Sequence, residues 1–417
     1  MDAELKHGLE LFLGRVSNDG DRPDSQESIA AQRTDAPRKD DLRSNDLRVV
    51  EESSSYSKAL ASQLRSEGFA TVHEYALLPS GTAARWVIPL ERPAFTVSGL
   101  QIYSPFSARA RLLKRMLIPI ARTGWTGWSR DRVLLASRKP AQIESLVRDA
   151  TGESNPVFAF SLGTPGRFRK LTIQVTRPNG DLLGYLKLPL TLSANQRVQR
   201  EAAALEQLGS FTALQPQIPR VLHAGPWAGA SILFQSGGPA ESAPVKFGQL
   251  HQDFLDKLWN SKKATRPGNA LVEEVGARWK TVEAKLDSPW RSLAAAALAR
   301  ASQDLNNVSV ECGVTHGDFA PWNTRLLNNE LYVFDWESAS ENVPRLWDVF
   351  HYHVQVESLL RLRIGSGLES NSPRSGASLL LLYLLHSACD SLQETSPDAS
   401  RALQYRHELL TAQLSGK

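Results

Sequence analysis

The segment from Val157 to Leu190 constrains the fold more than any other part of this sequence. It reads VFAFSLGTPGRFRKLTIQVTRPNGDLLGYLKLPL, and its apolar and polar residues alternate around two breaks. The first break spans residues 163–166. The second contains Asn179-Gly180, one of the strongest short-range signals for a β-hairpin. Because side chains alternate between the two faces of a sheet, the segment predicts three antiparallel strands.

The sequence after these strands predicts one helix, two further strands and then a mainly helical remainder. Residues 193–209 begin with the candidate cap Ser193, carry apolar residues at helical spacing and stop at Gly209. Residues 219–239 read as two more strands that end in a glycine-rich link. Beyond residue 239 we expect mostly helices.

The region before the strands divides into two parts. Residues 1–55 are predicted to be largely disordered, because 17–58 is dense in charge, Ser and Pro and nearly free of aromatics. Residues 56–154 contain short helical and strand-like pieces and predict a basic accessory α/β region of unknown role. Gly, Ser, Asn and Pro at 149–156 mark its end.

Composition excludes several classes of protein. Cys312 and Cys389 lie in no CxxC or Cys/His spacing, so neither a disulfide framework nor a zinc site is indicated. The net charge of +4 is too mild to imply nucleic acid binding by itself. The apolar stretch that starts at Ser378 is too short to span a bilayer and predicts a buried helix. With no secretory signal pattern, the chain is expected to be cytoplasmic.

One short stretch, residues 315–339, concentrates side chains that carry oxygen. It reads THGDFAPWNTRLLNNELYVFDWESA. Phosphoryl transfer from a nucleotide needs a carboxylate beside the accepting hydroxyl and oxygen ligands for magnesium. Asp318, Asn323 and Asp335 supply such a set. A turn would present Asp318, and two paired strands around 328–329 would carry Asp335 back beside it.

The double motif resembles the aminoglycoside phosphotransferase and choline kinase superfamily, relatives of the protein kinases. The resemblance rests on HGDxxxxN at 316–323 and on DWE at 335–337. It implies that Asp318 is the catalytic base and that Asn323 and Asp335 are metal ligands.

Three further residues near the motif receive supporting roles or none. His316 is predicted to buttress the loop by hydrogen bonding, and Glu337 to be an additional carboxylate on the metal side. Downstream, ENVPRLWDVFHYH resembles the family's Pro-x-x-Asp segment, with one extra residue between Pro344 and Asp348. This departure leaves Asp348 without an assigned role.

The resemblance also implies an α+β, two-lobed protein kinase-like fold that follows the N-terminal accessory region. A small antiparallel-sheet N-lobe would span 155–238, and a mainly helical C-lobe with the catalytic loop would span 239–417. Lys187 on the third strand would hold the nucleotide phosphates. Its ion-pair partner would be Glu201, with Glu206 as the second choice. The residues expected at the nucleotide are Lys187, Glu201, Gly163, Gly166, Gln235 and Ser236.

Two functions from different classes remain open. The first is a phosphotransferase that uses ATP or GTP with Mg²⁺ and acts on a hydroxyl of a small-molecule or lipid- or glycan-linked acceptor. The second is a pseudokinase or nucleotide-binding scaffold, favoured only by GTPGRFRK, which departs from the kinase GxGxxG. The sequence holds no Walker loop, Rossmann fingerprint or nucleophile elbow.

A basic stretch at 104–140 has three interpretations. A solvated basic face is the simplest. Peripheral contact with an anionic membrane is the second, because Trp125 and Trp128 accompany the positive charge and would place the protein at the inner face of the membrane. Nucleic acid is not expected, since no recognition motif accompanies the charge.

Overall fold

The computed structural model describes residues 1–13, 47–53, 56–79, 81–103, 108–138, 141–285, 288–360, 374–392 and 397–415. The chain divides into two compact units. The first comprises Met1–Gln199 and Val221–Gly237, and the second comprises Arg200–Arg220 and Gly238–Lys417.

Helices and strands are numbered in chain order. The helices are α1 (Ala3–Phe12), α2 (Ser57–Ser66), α3 (Pro93–Gly99), α4 (Ala108–Arg122), α5 (Gln142–Thr151), α6 (Leu192–Gly209), α7 (Gln249–Ser261), α8 (Gly268–Lys280), α9 (Ser288–Asp304), α10 (Trp347–Leu360), α11 (Arg374–Ser391) and α12 (Pro397–Ser415). The strands are β1 (Leu47–Ser53), β2 (Thr71–Leu78), β3 (Trp86–Pro89), β4 (Asp131–Ser137), β5 (Val157–Leu162), β6 (Lys170–Thr176), β7 (Leu182–Pro189), β8 (Val221–Trp227), β9 (Ala230–Ser236), β10 (Ala264–Pro267), β11 (Ser309–Thr315), β12 (Thr324–Leu327), β13 (Glu330–Val333) and β14 (Ser340–Pro344).

The first unit is built on one antiparallel sheet. Among the described residues this sheet has the order β1-β4-β2-β3-β5-β6-β7-β9-β8. Strands β5, β6 and β7 are the three antiparallel strands that the alternation predicts. Gly180 in the β6–β7 turn has φ +95°, a conformation that suits glycine, and the predicted hairpin is confirmed there.

The sheet runs through the boundary expected near residue 154. Strand β3 pairs with β5 through Trp86 opposite Ser161 and Val87 opposite Phe160. An unpaired β5 edge would expose backbone donors and acceptors, and β3 satisfies them. Residues 56–154 therefore extend the same sheet as residues 155–238, which differs from the predicted separation into two regions.

The first residues of the chain also differ from the predicted disorder. In α1, Leu5 and Leu9 are fully buried, and the Phe12 ring packs edge-on 4.9 Å from the Phe160 ring. The Asp2 carboxylate caps the helix by accepting from two backbone N–H groups. Leu5 and Leu9, at i and i+4, give the helix a buried apolar face. The prediction of disorder rests on the composition of residues 17–58, which says nothing about this face. Strand β1 likewise forms and pairs with β4. Residues 14–46 lie outside the described residues.

The second unit has a core of helices α8–α12. Helix α11 contributes most densely, with every residue from 379 to 385 buried, which confirms the buried helix predicted for this apolar stretch. None of the described helices combines the length and the apolar content needed to traverse a bilayer.

Two small sheets of the second unit position the oxygen-rich stretch at residues 315–339. Strands β10, β11 and β14 form one sheet, and β12 and β13 form a hairpin. Asn328 and Asn329 turn this hairpin with φ +50° and +65°, the paired left-handed conformation of a two-residue turn. The large antiparallel sheet of the first unit and the helical second unit confirm the predicted α+β class.

Candidate active site

The His-Gly-Asp turn follows β11 and is held by hydrogen bonds to the side chain of Asp348. The Asp348 carboxylate accepts hydrogen bonds from the backbone N–H groups of His316 at 2.7 Å and Gly317 at 2.9 Å. Burial raises the pKa of the Asp348 carboxyl, against the opposing effects of His316 and the two backbone donors. Asp348, which the sequence left without a role, therefore fixes the backbone of the turn.

Gly317 is required by the shape of this turn. Its φ is +79°, and a Cβ atom at this position would lie 2.2 Å from the Ser338 carbonyl oxygen. Any other residue would combine a left-handed backbone with a steric clash. The turn thus places Asp318 in one orientation relative to β11.

The His316 ring makes hydrogen bonds with both of its nitrogens. One ring nitrogen, Nε2, lies 3.0 Å from the Phe334 carbonyl oxygen, and Nδ1 accepts from the Asp318 backbone N–H at 3.2 Å. The ring also packs edge-on against Trp336 at 4.6 Å. Because both nitrogens are engaged, His316 has no lone pair to offer a metal ion.

The Asp318 side chain is held by two donors. Its Oδ2 accepts from Asn323 Nδ2 at 2.9 Å, and its Oδ1 lies 3.0 Å from His351 Nε2. The side chain is 35% exposed, which leaves it accessible to an acceptor molecule. The carboxylate is therefore both fixed and reachable.

Asn323 links Asp318 to the strand that leads to Asp335. Its Nδ2 also donates to the Asp318 backbone carbonyl oxygen at 2.9 Å. The backbone carbonyl oxygen of Asn323 accepts from the Phe334 N–H at 3.1 Å. Both partners of the amide nitrogen are acceptors, so the amide oxygen is the atom that Asn323 can offer to a cation. Asn323 thus contacts both Asp318 and Phe334, the residue before Asp335, within the second unit.

Three carboxylates meet where β13 ends. Oxygens from Glu201 on α6, Asp335 and Glu337 lie within 4.8 Å of one another. Glu201 is fully buried, and its Oε1 accepts from the Trp336 N–H at 3.3 Å. Asp335 has φ +72°, uncommon outside glycine and frequent at functional sites. Carboxylates at this separation repel by about 3 kcal/mol per pair at an effective dielectric constant of about 20, and a cation offsets that repulsion.

The donor types at this point fit magnesium. The carboxylate oxygens of Glu201, Asp335 and Glu337 are hard ligands of the kind that this ion prefers. Sequence reasoning expected Asn323 and Asp335 as ligands and Glu337 beside them. The structure brings the carboxylate of Glu201, which the resemblance assigns as the ion-pair partner of Lys187, close to those of Asp335 and Glu337.

The remaining predicted nucleotide residues lie in the first unit. Lys187 is buried on β7 opposite Leu233, and Gln235 and Ser236 end β9, opposite Tyr185 and Gly184. These positions match the predicted third strand and the strand before the glycine-rich link.

The loop at Gly163 to Gly166 is a closed turn between β5 and β6. The Gly163 N–H donates to the Lys170 carbonyl at 2.9 Å, and the Gly166 carbonyl accepts from the Arg169 N–H at 3.1 Å. The Arg169 side chain donates to the Gly163 carbonyl oxygen at 3.2 Å. The Gly163 N–H is thus used within the hairpin, unlike the free donors that a phosphate-binding glycine loop provides.

Sequence reasoning missed His351 and Tyr383. His351 lies three residues after Asp348 on α10, so both face the turn, and this i, i+3 spacing is the one signal that could have found it. Tyr383 comes from α11, and its hydroxyl lies 3.0 Å from His351 Nδ1. No local pattern connects Tyr383 to the motif.

No protein-family model matches the sequence, and no curated protein matches it. Among solved structures, the chain is similar to a thermostable mutant of aminoglycoside phosphotransferase APH(4)-Ia in its apo form, with 13% identity over 66% of this chain and 98% of that chain and a TM-score of 0.46. It is similar to the GDP complex of aminoglycoside 2'-phosphotransferase-IIIa, with 14% identity, coverage of 66% and 98%, and a TM-score of 0.40. It is also similar to ADP-bound aminoglycoside phosphotransferase APH(2'')-Ib, with 12% identity, coverage of 65% and 99%, and a TM-score of 0.37.

Proposed function

We propose that this protein transfers the terminal phosphoryl group of ATP or GTP, with Mg²⁺, to a hydroxyl of a small-molecule or lipid- or glycan-linked acceptor. The observation that carries the proposal is the Asp318 carboxylate, which is fixed by Asn323 and His351 yet still a third exposed. A carboxylate with this combination can accept a hydrogen bond from an incoming hydroxyl and hold it in one direction. Asp318 would take the hydroxyl proton late in the transfer.

The cation would be held on the other side of Asn323. Its ligands would be the Asn323 amide oxygen and the Asp335 carboxylate, with Glu337 beside them. When bound, Mg²⁺ neutralises charge on the phosphate oxygens. The protein's own contribution is to hold these oxygens in place through the Asn323 and Trp336 backbone contacts.

Lys187 is proposed to contact the nucleotide phosphates, with Glu201 as its ion-pair partner. A lysine ammonium serves this purpose as a compact point charge. Gln235 and Ser236 are proposed beside the base. Gly163 and Gly166 are proposed to contact the nucleotide. The Gly163 N–H is not proposed as a phosphate donor, because it already donates a hydrogen bond to the Lys170 carbonyl oxygen.

A direct test measures nucleotide binding and turnover in the same preparation. Calorimetry would report the affinity for ATP and for GTP with and without Mg²⁺. A coupled assay would report ADP or GDP release. Binding and Mg²⁺-dependent release support the phosphotransferase. Binding without release under any acceptor would favour the pseudokinase or scaffold function, and absence of nucleotide binding would contradict both.

We further propose that the basic region at 104–140 contacts an anionic membrane through α4. The inner face of α4 is buried at Leu117 and Ala121, whereas Leu112, Leu113 and Met116 are 60%, 49% and 57% exposed. Exposed apolar side chains in one patch usually mark an interaction surface.

The charge around this patch favours lipid as the partner. The sequence from 108 to 130 contains six Lys or Arg residues and no Asp or Glu. Arg115 and Arg122 are exposed beside the apolar side chains, and Trp125 is 58% exposed just past the helix. An apolar strip flanked by arginines and an exposed tryptophan suits the headgroup region of an anionic bilayer.

Vesicle sedimentation tests this surface. The wild type should sediment with phosphatidylglycerol vesicles at low salt and stay in solution with phosphatidylcholine alone. The double variant Leu113→Ser, Met116→Ser should lose sedimentation, whereas Leu192→Ser, an equally exposed leucine elsewhere in the first unit, should keep it. Equal binding by both variants would contradict a lipid contact through α4, as would a wild type that does not sediment.

A further inference from the structure

His351 lies against the proposed catalytic carboxylate, and its own contacts extend beyond the hydrogen bond to Asp318 described above. Its Nε2 is 3.0 Å from Asp318 Oδ1, and its Nδ1 is 3.0 Å from the Tyr383 hydroxyl. The His351 side chain is 12% exposed, so the ring is enclosed on most sides. It comes from α10, and Tyr383 comes from α11.

The positions of the hydrogens follow from the partners. An ionised Asp318 carboxylate can only accept, so the proton of a neutral His351 ring must be on Nε2. Nδ1 then accepts from the Tyr383 hydroxyl. Burial raises the pKa of Tyr383 to about 12, so this hydroxyl stays protonated as a donor near neutral pH. The contacts therefore select one tautomer of His351.

Tyr383 is itself held firmly. Its side chain is buried, and its ring packs against the rings of Trp347 and Phe350 at 6.0 Å and 5.9 Å. Tyr383 packs in the helical core and contacts His351, and His351 in turn contacts Asp318. A fixed phenol fixes the imidazole, and the imidazole can fix the carboxylate.

Two donors on two oxygens remove the rotational freedom of Asp318. Asn323 donates to Oδ2 and His351 donates to Oδ1. Rotation of a carboxylate about its last bond is otherwise broad. Each oxygen has a second lone pair, so the carboxylate can still accept from a substrate hydroxyl.

We infer that His351 is a positioning residue, which holds the Asp318 carboxylate at the angle needed to receive the acceptor hydroxyl, and that Tyr383 sets its tautomer. This role rests on the proposed phosphotransferase function. In phosphoryl transfer the carboxylate acts mainly by orientation, so loss of its second donor should lower the rate of the chemical step and spare nucleotide binding.

The test compares His351→Leu, His351→Gln and Tyr383→Phe. His351→Leu should lower kcat by about 100-fold while the KM for nucleotide stays within about threefold, because misplacement of a reacting group costs rate and not affinity. In His351→Gln, the amide nitrogen can reach the position of Nε2, and most of the activity should return. Tyr383→Phe should fall between the two.

Gln355 provides the matched control. Its amide nitrogen lies 3.2 Å from the same His351 Nε2, one turn farther along α10. A ring nitrogen that donates to Asp318 has no lone pair for a second donor, so this contact is not a hydrogen bond in the inferred tautomer and Gln355→Ala should leave kcat nearly unchanged. Equal losses in His351→Leu and His351→Gln, or a loss that tracks a drop in melting temperature, would overturn the positioning role.

A readout without turnover separates this inference from the proposed function. Selective ¹⁵N-histidine labelling should show the His351 tautomer that carries its proton on Nε2, and the signal should shift in Asp318→Ala. The opposite tautomer would overturn the inference whatever the activity. An active wild type with full kcat in His351→Leu would overturn the positioning role alone, whereas a wild type that binds nucleotide but never transfers it would overturn the proposed function.

Discussion

Asp318 and Asp348 both accept hydrogen bonds at the His-Gly-Asp turn, but their surroundings differ. Asp348 is 2% exposed and takes its bonds from backbone N–H groups. Asp318 is 35% exposed in its side chain and takes its bonds from the side chains of Asn323 and His351. Backbone donors and full burial make a carboxylate part of the framework, whereas side-chain donors and partial exposure leave it usable for chemistry.

The largest effect is expected from Asp318→Asn. Loss of a proton-accepting, orienting carboxylate should lower kcat by about 10³-fold, within the usual range for a general base. Nucleotide affinity and melting temperature should stay close to those of the wild type. The measurements are steady-state turnover, calorimetry and thermal unfolding. Full activity in the variant would mean that Asp318 is not the base.

The converse pattern is expected from Asp348→Asn. An amide offers one acceptor oxygen where the turn presents two N–H donors, so unfolding free energy should fall by about 2–3 kcal/mol. Denaturant unfolding with unchanged slope would measure this loss. Any loss of activity should follow the loss of folded protein and the disorder of the turn. A fully stable but inactive variant would show that Asp348 takes part in the chemistry.

A third variant, Asp335→Asn, should distinguish an effect on Mg²⁺ binding from an effect on the catalytic base. Removal of one charged ligand should weaken Mg²⁺ binding about tenfold, since ligand charge sets affinity. The measurement is the Mg²⁺ dependence of the melting temperature in the presence of ADP. The control is Glu330→Gln. It removes an exposed carboxylate on β13 that pairs with Lys257, and it should leave the Mg²⁺ midpoint unchanged.

The smallest expected effect is a pH dependence carried by Asp348. Its folded pKa is raised above the ordinary value of 3.8, so its ionisation is less favourable in the folded state. Its contribution to stability is therefore complete below about pH 3.8 and is lost as pH rises through the folded pKa. The difference in stability between wild type and Asp348→Asn should shrink over that window, and a difference that grows with pH would contradict the assignment.

The contrast between the two aspartates also explains how much the sequence could predict. The turn, Asn323 and Asp335 follow from spacing within one short segment, where strand and turn signals act locally. His351 and Tyr383 lie 33 and 65 residues beyond Asp318, on helices whose packing no short pattern encodes. Asp348 was visible as a motif position, but its two backbone donors became apparent only with the turn in place.

The same distinction applies to the first unit. The hairpin at Asn179-Gly180 is local and was predicted. The pairing of β3 with β5 joins residues more than 70 positions apart, as Trp86 and Ser161 show, so the continuous sheet could not be foreseen. Helix α1 is not evident from local sequence because part of its burial comes from strands β6 and β7, far along the chain.

The most direct test of the account follows acceptor phosphorylation by mass spectrometry across a panel of hydroxyl compounds, with Mg²⁺ and ATP or GTP. The wild type should yield one product heavier by one phosphoryl group, together with an equal amount of nucleoside diphosphate, and Asp318→Asn should form both about 10³-fold more slowly while it still binds nucleotide. A wild type that binds nucleotide with Mg²⁺ and phosphorylates nothing, or an Asp318→Asn variant that matches its rate, would contradict the account.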